Sequence, residues 1–344
     1  DNSFQILGNY TCLLDSIVQT AFDYSFIDIP LIKERLVEEL NHELNYKQKN
    51  LPEKKEKLKL LKEQILEMEK NLESGSSSSR EYRYFQEIES QHESETRILE
   101  ERIEELQQLI PQIQDFTNDK NFVLNHLVIF ARGGYGRAEL GLSSDRDLGY
   151  CLDTNRLNNG EAEMLRQLIV HIENLLRNSG VETAHQYFEI DEDLSRFDEV
   201  NTLHTIPSIL ESRVLLGSES LATNLKNRFF QVITFEPYVL NLVRSFSESK
   251  EPELNRMDLK MDYGGLRSLQ IPLWITAATF GIFPSQTADL LAFLIQKHLL
   301  SHRQALKLCQ ALEFLHDLRN FSAVAKEHYF DDEARDIGCV QENL

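Results

Sequence analysis

The stretch that decides the fold is "RGGYGRAELGLSSDRDLGYCL", which runs from Arg132 to Leu152. The preceding segment "FVLNHLVIFA", residues 122–131, is apolar and β-branched and predicts a strand. "DLGYCLD", residues 147–153, predicts a second strand, so the quoted stretch connects two strands. A turn-rich surface loop and a site that holds phosphate and metal both fit this density of glycine, arginine and aspartate.

The two aspartates, Asp145 and Asp147, favour the second interpretation. Residues two apart on a strand project from the same face, so these carboxylates would lie together if the segment enters a strand. Two neighbouring carboxylates suit Mg²⁺ or Mn²⁺, which prefer oxygen ligands and also bind triphosphate oxygens. We therefore predict Asp145 and Asp147 as metal ligands and Mg²⁺ (or Mn²⁺) as the cofactor.

The glycine pair, Gly133 and Gly134, directly follows the first predicted strand. Glycines there let the backbone turn sharply and bring N–H groups close to an anion. If "YGRAEL" begins a helix, the N-terminus of that helix adds partial positive charge. Nearby side chains add charge and hydroxyl groups: Arg132, Arg137, Ser143 and Ser144. A lone DxD or GG is common in turns, but these features in this order favour a nucleotide and metal site.

The patterns on either side predict an α+β class. "EAEMLRQLIVHIENLLRNSG", residues 161–180, predicts an amphipathic helix that ends at Gly180, and "VETAHQYFEI", residues 181–190, predicts another strand. From Ile206 onward the apolar spacing predicts helices, beginning with "IPSILESRVLL". We predict a small mixed-sheet domain over residues 116–215, flanked by a helical region at 1–115 and an all-helical domain at 216–344.

Two heptad-like seams occur in the N-terminal region, where apolar residues recur at spacings of three and four. They are Leu58, Leu61, Ile65, Met68 and Leu72, followed by Leu99, Ile103, Leu106, Ile110 and Ile113. The serine-rich "SGSSSS" lies between them in a flexible linker at 74–80. The pattern predicts an antiparallel coiled hairpin, which either packs on its own domain or mediates self-association or partner docking.

The composition argues against several classes of protein. The chain has 36 Lys and Arg against 56 Asp and Glu, and a net charge of −20 opposes binding of extended nucleic acid. No run of 18 apolar residues predicts a membrane span, and the first residues lack the pattern of a signal peptide. The four cysteines are scattered without a CxxC pair, which predicts free thiols and a cytoplasmic location.

Competing motifs are incomplete. "GYGRAE" lacks the third glycine of a dinucleotide fingerprint, and neither a phosphate-loop lysine motif nor a nucleophile elbow occurs. His298 and His302 are four apart, but Leu299 stands where a zincin has glutamate. The His316–Asp317 pair would need further, distant ligands to form a metal phosphohydrolase site.

The stretch "GGYGRAELGLSSDRDL" resembles the GGYGRGEL…SDIDL signature of the bacterial protein-PII uridylyltransferases. The nucleotidyltransferase domain of that family belongs to the polymerase-β-like superfamily. Three further segments resemble the family in the same order: "SILESRVLLGSESL", "LKMDYGGLRSLQIPLWI" and "LEFLHDLRN". The resemblance covers residues 120–325 and leaves the helical arm unexplained.

The resemblance implies a role for each matching position. The metal-binding pair corresponds to Asp145 and Asp147. The phosphate cradle corresponds to Gly133, Gly134, Arg137 and Ser144. The second motif is "LKMDYGGLRSLQIPLWI", residues 259–275, and in it Lys260 and Arg267 are the cations that face the nucleotide. Its glycine pair, Gly264–Gly265, also suits a plain interhelical turn.

Three departures from the family pattern affect the site. Arg146 stands where the family has an apolar residue, and Ser268 stands where it has aspartate. The superfamily usually has a third carboxylate on a neighbouring strand. Glu182 and Glu189 are the candidates, and we choose Glu182 as the third catalytic carboxylate beside Asp145 and Asp147.

The resemblance implies an enzyme that transfers an NMP (UMP or AMP) from an NTP to an acceptor hydroxyl, such as a protein tyrosine, and releases pyrophosphate. Ser268 and the third carboxylate keep a second hypothesis open: a nucleotide-sensing or partner-binding scaffold of the same fold that has lost catalysis. A purely structural coiled-coil adaptor is the third. The sequence stops at residue 344, before the hydrolase and sensing domains of PII-modifying enzymes, so PII itself is not the expected acceptor.

Overall fold

The computed structural model describes residues 3–73, 79–141, 144–190, 205–232, 235–247, 258–282, 284 and 286–330. Its helices are α1 (Ser3–Ile27), α2 (Ile29–Glu73), α3 (Ser79–Gln114), α4 (Lys120–His126), α5 (Gly133–Gly136), α6 (Asn159–Asn178), α7 (Thr205–Leu210), α8 (Glu219–Val232), α9 (Phe235–Ser247), α10 (Leu266–Phe280), α11 (Thr287–Gln296) and α12 (His302–Phe330). None of these helices is both long enough and apolar enough to cross a membrane.

The chain divides into two compact units, which we describe separately. One comprises residues 1–25, 120–156 and 169–344, and the other comprises residues 26–119 and 157–168. The boundaries expected from the sequence, after residues 115 and 215, stay predictions.

In the unit that contains residues 26–119, α2 and α3 pair as an antiparallel hairpin. Their ion pairs run in opposite directions along the two helices, from Glu43–Arg102 through Lys54–Glu95 to Lys62–Glu93. The predicted seam of α3 is buried at Ile103, Leu106, Ile110 and Ile113. Of the predicted linker, residues 74–78 lie outside the described residues, and Ser79 and Arg80 belong to α3. Supercoiling of the pair stays a prediction.

The other unit contains a four-stranded mixed sheet in the order β3-β2-β1-β4. Its strands are β1 (Leu127–Ala131), β2 (Asp147–Leu152), β3 (Ala184–Glu189) and β4 (Arg213–Gly217). Strand β1 is antiparallel to both β2 and β4, whereas β2 and β3 are parallel. A small mixed sheet among many helices confirms the predicted α+β class.

Two local predictions are wrong. Residues 122–126 belong to α4 rather than to a strand, and the Phe122 carbonyl lies 2.9 Å from His126 Nδ1 across one helical turn. The end of "IPSILESRVLL" is not helical, because α7 stops at Leu210 and β4 begins at Arg213. Such short apolar segments carry too little periodicity to separate helix from strand, and pairing with the edge of β1 decides the second case.

One face of the sheet carries an aromatic core. Phe130 and Phe188 stack with their ring centroids 6.2 Å apart, and Phe188 meets Phe229 of α8 edge to face at 5.5 Å. The Phe130 ring fills the space that a side chain at Gly149 would need. Since residues two apart share a face, Asp147 projects from this same face at the first position of β2. The fold therefore places one predicted metal ligand at the border of a packed core.

Candidate functional site

The glycine loop between β1 and β2 lies directly against Asp147. The backbone N–H of Arg132 donates to the Asp147 carbonyl at 2.9 Å. Gly133 has φ +54, and a Cβ atom there would lie 3.1 Å from Asp147 Oδ2. A Cβ atom at Gly136 would lie 2.8 Å from the Ala131 carbonyl oxygen. Glycine at position 133 thus lets the backbone pass close to the carboxylate, whereas glycine at position 136 lets the turn fold back against the end of β1.

The helix predicted to begin in "YGRAEL", residues 135–140, begins earlier in the structure. The helical turn α5 spans Gly133–Gly136 and precedes most of that segment. Ala138 then adopts φ 59, and the Glu139 N–H closes the loop by donating to the Gly134 carbonyl at 2.8 Å. Glycines at the start of the loop allow this tighter turn.

We expect Gly136→Ala to destabilise the protein by about 1–3 kcal/mol, because the new methyl group meets backbone oxygens that cannot rotate away. Urea unfolding measures the change. Gly8→Ala is the matched control, since a Cβ atom at Gly8 in α1 meets nothing within 4 Å. That change should stabilise the protein by about 0.5–1 kcal/mol. Equal effects of the two variants would contradict the close approach at Gly136.

The two aspartates reach the same pocket from different environments. Asp147 begins β2, and 32% of its side chain is exposed, whereas Asp145 precedes the strand and 72% of its side chain is exposed. Burial raises the pKa of Asp147 above its usual value; Arg132 opposes the shift and the negative charge of Asp145 adds to it. A half-buried carboxylate with a raised pKa gains free energy from a cation placed beside it.

Arg132 lies beside Asp147 and is held by the strands. Its Nε donates to the Leu148 carbonyl at 3.1 Å, and its Nη1 donates to Gln186 Oε1 at 2.6 Å. Its Nη2 lies 3.8 Å from Asp147 Oδ1. Gln186 stands opposite Gly149 in the parallel β2–β3 register, and it therefore faces the same side as Asp147. The strand beside Asp147 thus presents the Gln186 amide on this face, whereas the resemblance implies a carboxylate on a neighbouring strand.

The second motif forms a tight turn at residues 258–265 that leads into α10. Gly264 has φ +85, and its N–H donates to Ser268 Oγ at 2.9 Å. Ser268, which departs from the family pattern, therefore holds the turn together. Lys260 Nζ reaches to 3.8 Å from Asp145 Oδ2. The turn carries this lysine to the predicted metal pair.

Arg267, in the first turn of α10, points into the same pocket. Its guanidinium lies 4.8 Å from the centre of the Trp274 ring and donates to Gln270 Oε1 at 2.8 Å. Burial, together with the positive charge of Arg137, lowers the pKa of Arg267 to about 10. The guanidinium remains charged at neutral pH, so it can bind phosphate.

The pocket itself has a volume of about 70 Å³, and its lining joins both motifs: Gly134, Arg137, Glu139, Ser144, Asp145, Asp147, Ser208, Lys260, Leu266, Arg267, Gln270, Trp274, His316 and Arg319. Small-molecule sites usually measure about 300–1,000 Å³. This volume therefore suits a phosphoryl group, and a sugar and base would extend towards solvent.

Among the lining residues that the sequence did not assign to this site are His316 and Arg319 of α12. His316 is 3% exposed, and burial lowers its pKa. Arg319 also has a pKa lowered by burial, while the carboxylates of Asp258 and Asp145 oppose that shift. Both residues lie in "LEFLHDLRN", residues 312–320. The resemblance of this segment to the family, in the same order as the other motifs, was the sequence signal that could have indicated them.

Arg137 lines the pocket, but it is bonded to two buried carboxylates. Its Nε donates to Glu139 and its Nη1 to Glu211, both at 2.8 Å. Burial alone would lower the pKa of Arg137, but the two carboxylates raise it above its usual value. Burial raises the pKa of Glu211, whereas Arg137 and the Thr287 hydroxyl hold the pKa of Glu139 down against the same effect. Two nitrogens of this guanidinium are thus engaged within the protein.

The remaining predicted residues lie as follows. Ser144 lines the pocket, and its Oγ accepts from the Gly141 N–H at 3.2 Å. Glu182 is exposed, lies just before β3 and is absent from the pocket lining among the described residues. Arg146 donates to the Tyr10 hydroxyl at 3.1 Å, which ties the start of β2 to α1. Ser143 lies outside the described residues.

The site suits a divalent cation that shares its ligands with phosphate. Among the described residues, no cluster of three or more His, Cys, Asp or Glu side chains could hold a metal ion. Within the residues that the structure describes, Arg132 lies 3.8 Å from Asp147 and Lys260 lies 3.8 Å from Asp145. Both distances exceed hydrogen-bonding distance, which leaves the carboxylate oxygens open to a metal ion. Mg²⁺ is commonly bound by one or two carboxylates together with substrate phosphates and water. The donor set fits that pattern.

Comparison with known proteins confirms the resemblance predicted from the sequence. Residues 244–328 match the family model of the GlnD PII-uridylyltransferases. A bifunctional uridylyltransferase/uridylyl-removing enzyme of Zymomonas mobilis is 30% identical over 165 residues, which are 46% of this chain and 17% of that protein. The corresponding enzyme of Ectopseudomonas mendocina is 30% identical over 206 residues, which are 56% of this chain and 21% of that protein. This chain thus spans about a fifth of the length of these relatives.

Proposed function

We propose that this chain, which is similar to the PII uridylyltransferases, is a metal-dependent nucleotidyltransferase. It transfers UMP or AMP from a nucleoside triphosphate to an acceptor hydroxyl, with a protein side chain as the favoured acceptor. One observation carries the proposal: the pocket joins two aspartates to three cations from separate parts of the chain, Lys260, Arg267 and Arg319. Acids that bind metal beside cations that bind phosphate are what a triphosphate requires.

Each side chain has a defined part in the proposed reaction. When bound by Asp145 and Asp147, Mg²⁺ or Mn²⁺ supplies charge that draws the phosphates in and favours deprotonation of the acceptor hydroxyl. Lys260, Arg267 and Arg319 stabilise negative charge on the phosphates. The hydroxyl oxygen forms a bond to the α-phosphorus, the bond from that phosphorus to the bridging oxygen breaks, and pyrophosphate leaves.

The decisive experiment compares the position of the label in the nucleotide. The chain is incubated with Mg²⁺, a cell lysate and each NTP carrying label on either the α- or the γ-phosphate. We expect a protein band that takes up α-label from UTP or ATP and takes up no γ-label. Lysate without the chain is the control, because kinases of the lysate transfer γ-label by themselves. Transfer of γ-label that requires the chain, or chain-dependent α-label transfer that survives removal of divalent metal by EDTA, would contradict the proposal.

A second candidate function is nucleotide sensing without transfer. The observation that favours it is Gln186, because its amide stands beside Asp147 on the neighbouring strand and is already bonded to Arg132. Binding of UTP or ATP with Mg²⁺, measured by calorimetry, together with no α-label on any protein would support this candidate.

Arg319 tests the cationic side of the pocket. We expect Arg319→Met to weaken NTP binding at least about tenfold, because a hydrogen bond to a charged group contributes roughly 1.5–3 kcal/mol. Calorimetry with UTP and ATP measures the change. Arg303→Met is the matched control, since Arg303 is exposed on the same helix and does not line the pocket. Equal losses in the two variants would show that net charge, rather than this pocket, governs binding.

Asp147 should make metal binding sensitive to mild acid. Its pKa is raised in the folded protein, so it takes up a proton at a higher pH than an ordinary aspartate, and protonation removes the metal ligand. We therefore expect Mn²⁺ affinity to fall as the pH drops through this raised pKa. Carboxyl ¹³C NMR assigns the titration by comparison with Asp147→Asn. Asp145→Asn should move the Asp147 midpoint to lower pH, because it removes a repelling charge; an unchanged midpoint would contradict this account.

A further inference from the structure

Arg137 and Glu139 also line a second cavity, which has a volume of about 540 Å³. Within the described part of the chain, these two residues are the ones that it shares with the lining of the phosphate-sized pocket. Its other walls come from α1, from the start of α11 and from the middle of α12. The volume lies within the range of about 300–1,000 Å³ that is typical of small-molecule sites.

Most of the cavity wall is apolar. Leu291 and Leu312 are buried and form its inner part, whereas Leu306 is 58% exposed. Cys309 also lines it, and burial together with the charge of Glu313 raises the pKa of its thiol. The thiol is therefore neutral at physiological pH and adds to the apolar surface. An occupant that covers this wall gains free energy from the apolar area removed from water.

The charged groups around the cavity are mainly negative. Among the lining residues, the single guanidinium of Arg137 stands against the two carboxylates of Glu139 and Glu313, and it is bonded to Glu139. Glu313 lies four residues after Cys309 on α12, so the two side chains share the helix face that lines the cavity. A cation would be attracted to such a cavity, and an anion would be repelled.

We propose that this cavity binds a small organic cation, an amine or ammonium compound with an apolar body. The apolar body packs against Leu291, Leu306 and Leu312, and the cationic group lies beside Glu313. The proposal does not depend on the function proposed above, because it rests on a different set of contacts. Since Arg137 and Glu139 line both cavities, the occupant lies one ion pair away from the nucleotide pocket.

Cys309 allows occupancy to be measured directly. The full chain carrying Cys12→Ser and Cys339→Ser retains Cys309 and the fully buried Cys151. The rate at which methyl methanethiosulfonate modifies Cys309 is followed by mass spectrometry in the presence of hexyltrimethylammonium or hexanesulfonate. These probes have equal chain length and opposite permanent charge. We expect the cation to protect Cys309 at a concentration at least about fivefold lower, the ratio given by an attraction of roughly 1 kcal/mol. Equal protection, stronger protection by the anion, or none by the cation would overturn the proposal.

Two variants locate the occupant. Glu313→Gln should abolish the difference between cation and anion; if the difference persists, the charge assignment is wrong. Gly8→Leu places a side chain into the cavity, and its Cβ atom meets nothing within 4 Å. We expect this variant to lose protection by hexyltrimethylammonium while its circular dichroism stays unchanged. Full protection in folded Gly8→Leu would place the probe elsewhere and overturn the proposal.

Discussion

Asp147→Asn is expected to lower nucleotide transfer by about 1,000-fold, which corresponds to roughly 4 kcal/mol in activation free energy. Asparagine keeps the shape of the side chain beside Gly133, so the close approach of the loop survives. It removes the negative charge that faces Arg132 and that we propose binds the metal. Rates of α-label transfer at saturating NTP and Mg²⁺ measure the loss. A reduction of less than tenfold would show that Asp147 does not bind the catalytic metal.

Glu182→Gln is the control for this prediction, and it also tests the third carboxylate. Glu182 is exposed and does not line the pocket, so the structure gives no reason for a large effect. A loss comparable with that of Asp147→Asn would establish Glu182 as a catalytic carboxylate that reaches the site when substrate binds. We expect Glu182→Gln to keep its activity within about threefold of wild type, as is usual for a surface substitution away from the site. That result would leave Asp145 and Asp147 as the proposed metal-binding carboxylates of the site.

The glycine loop and the aspartate that follows it, within residues 131–147, could be predicted from the sequence because their geometry depends on residues close together in the chain. A glycine with φ +54 next to a strand, and an aspartate at the first position of the next strand, follow from the order of residues 131–147. Helix α10 was equally predictable. It lies in the region after Ile206 for which the apolar spacing predicts helices, and Gly281 with φ 65 ends it.

The positions of Arg319 and Gln186 in the site could not be predicted, since they depend on how helices and strands that are distant in the chain pack together. Arg319 reaches Asp145 from 174 positions further along the chain, and no spacing within α12 indicates this. Gln186 faces Asp147 only because β2 and β3 are parallel in one register. A one-residue shift would turn its side chain to the other face of the sheet.

Arg137 shows how a correct motif can hide a second role. An arginine after a glycine loop predicts a phosphate contact, and the resemblance implies the same. The structure bonds it instead to Glu139, two residues away, and to Glu211, 74 residues away. Because Glu211 is the second partner, the ion pair becomes a buried network that joins distant parts of the chain. Glu211 lies between α7 and β4, in the segment that the sequence pattern wrongly assigned to a helix.

Arg137→Met is therefore expected to destabilise the unit that contains the sheet by about 3–5 kcal/mol at pH 7.5, because it leaves two buried carboxylates without their cation. The indole of Trp274, the sole tryptophan of the chain, is bonded to Glu211, so its fluorescence reports on this network during urea unfolding. Arg156→Met is the matched control, since Arg156 belongs to the same unit, and its ion pair with Asp153, in which the arginine side chain is 77% exposed, should contribute less than about 1 kcal/mol.

The pH dependence of the Arg137→Met variant distinguishes lost charge from lost packing. In the wild type Arg137 holds the pKa of Glu139 down, so this carboxylate stabilises the protein above its unfolded pKa, and that contribution is lost as the pH falls. In the variant, burial without Arg137 raises the pKa of both carboxylates. Folding then takes up protons, and the variant gains stability as the pH falls from 7.5 to 5. The difference from wild type should shrink over that range, and the triple variant with Glu139→Gln and Glu211→Gln should lack the trend. A deficit that stays constant with pH would assign the loss to packing of the arginine side chain instead.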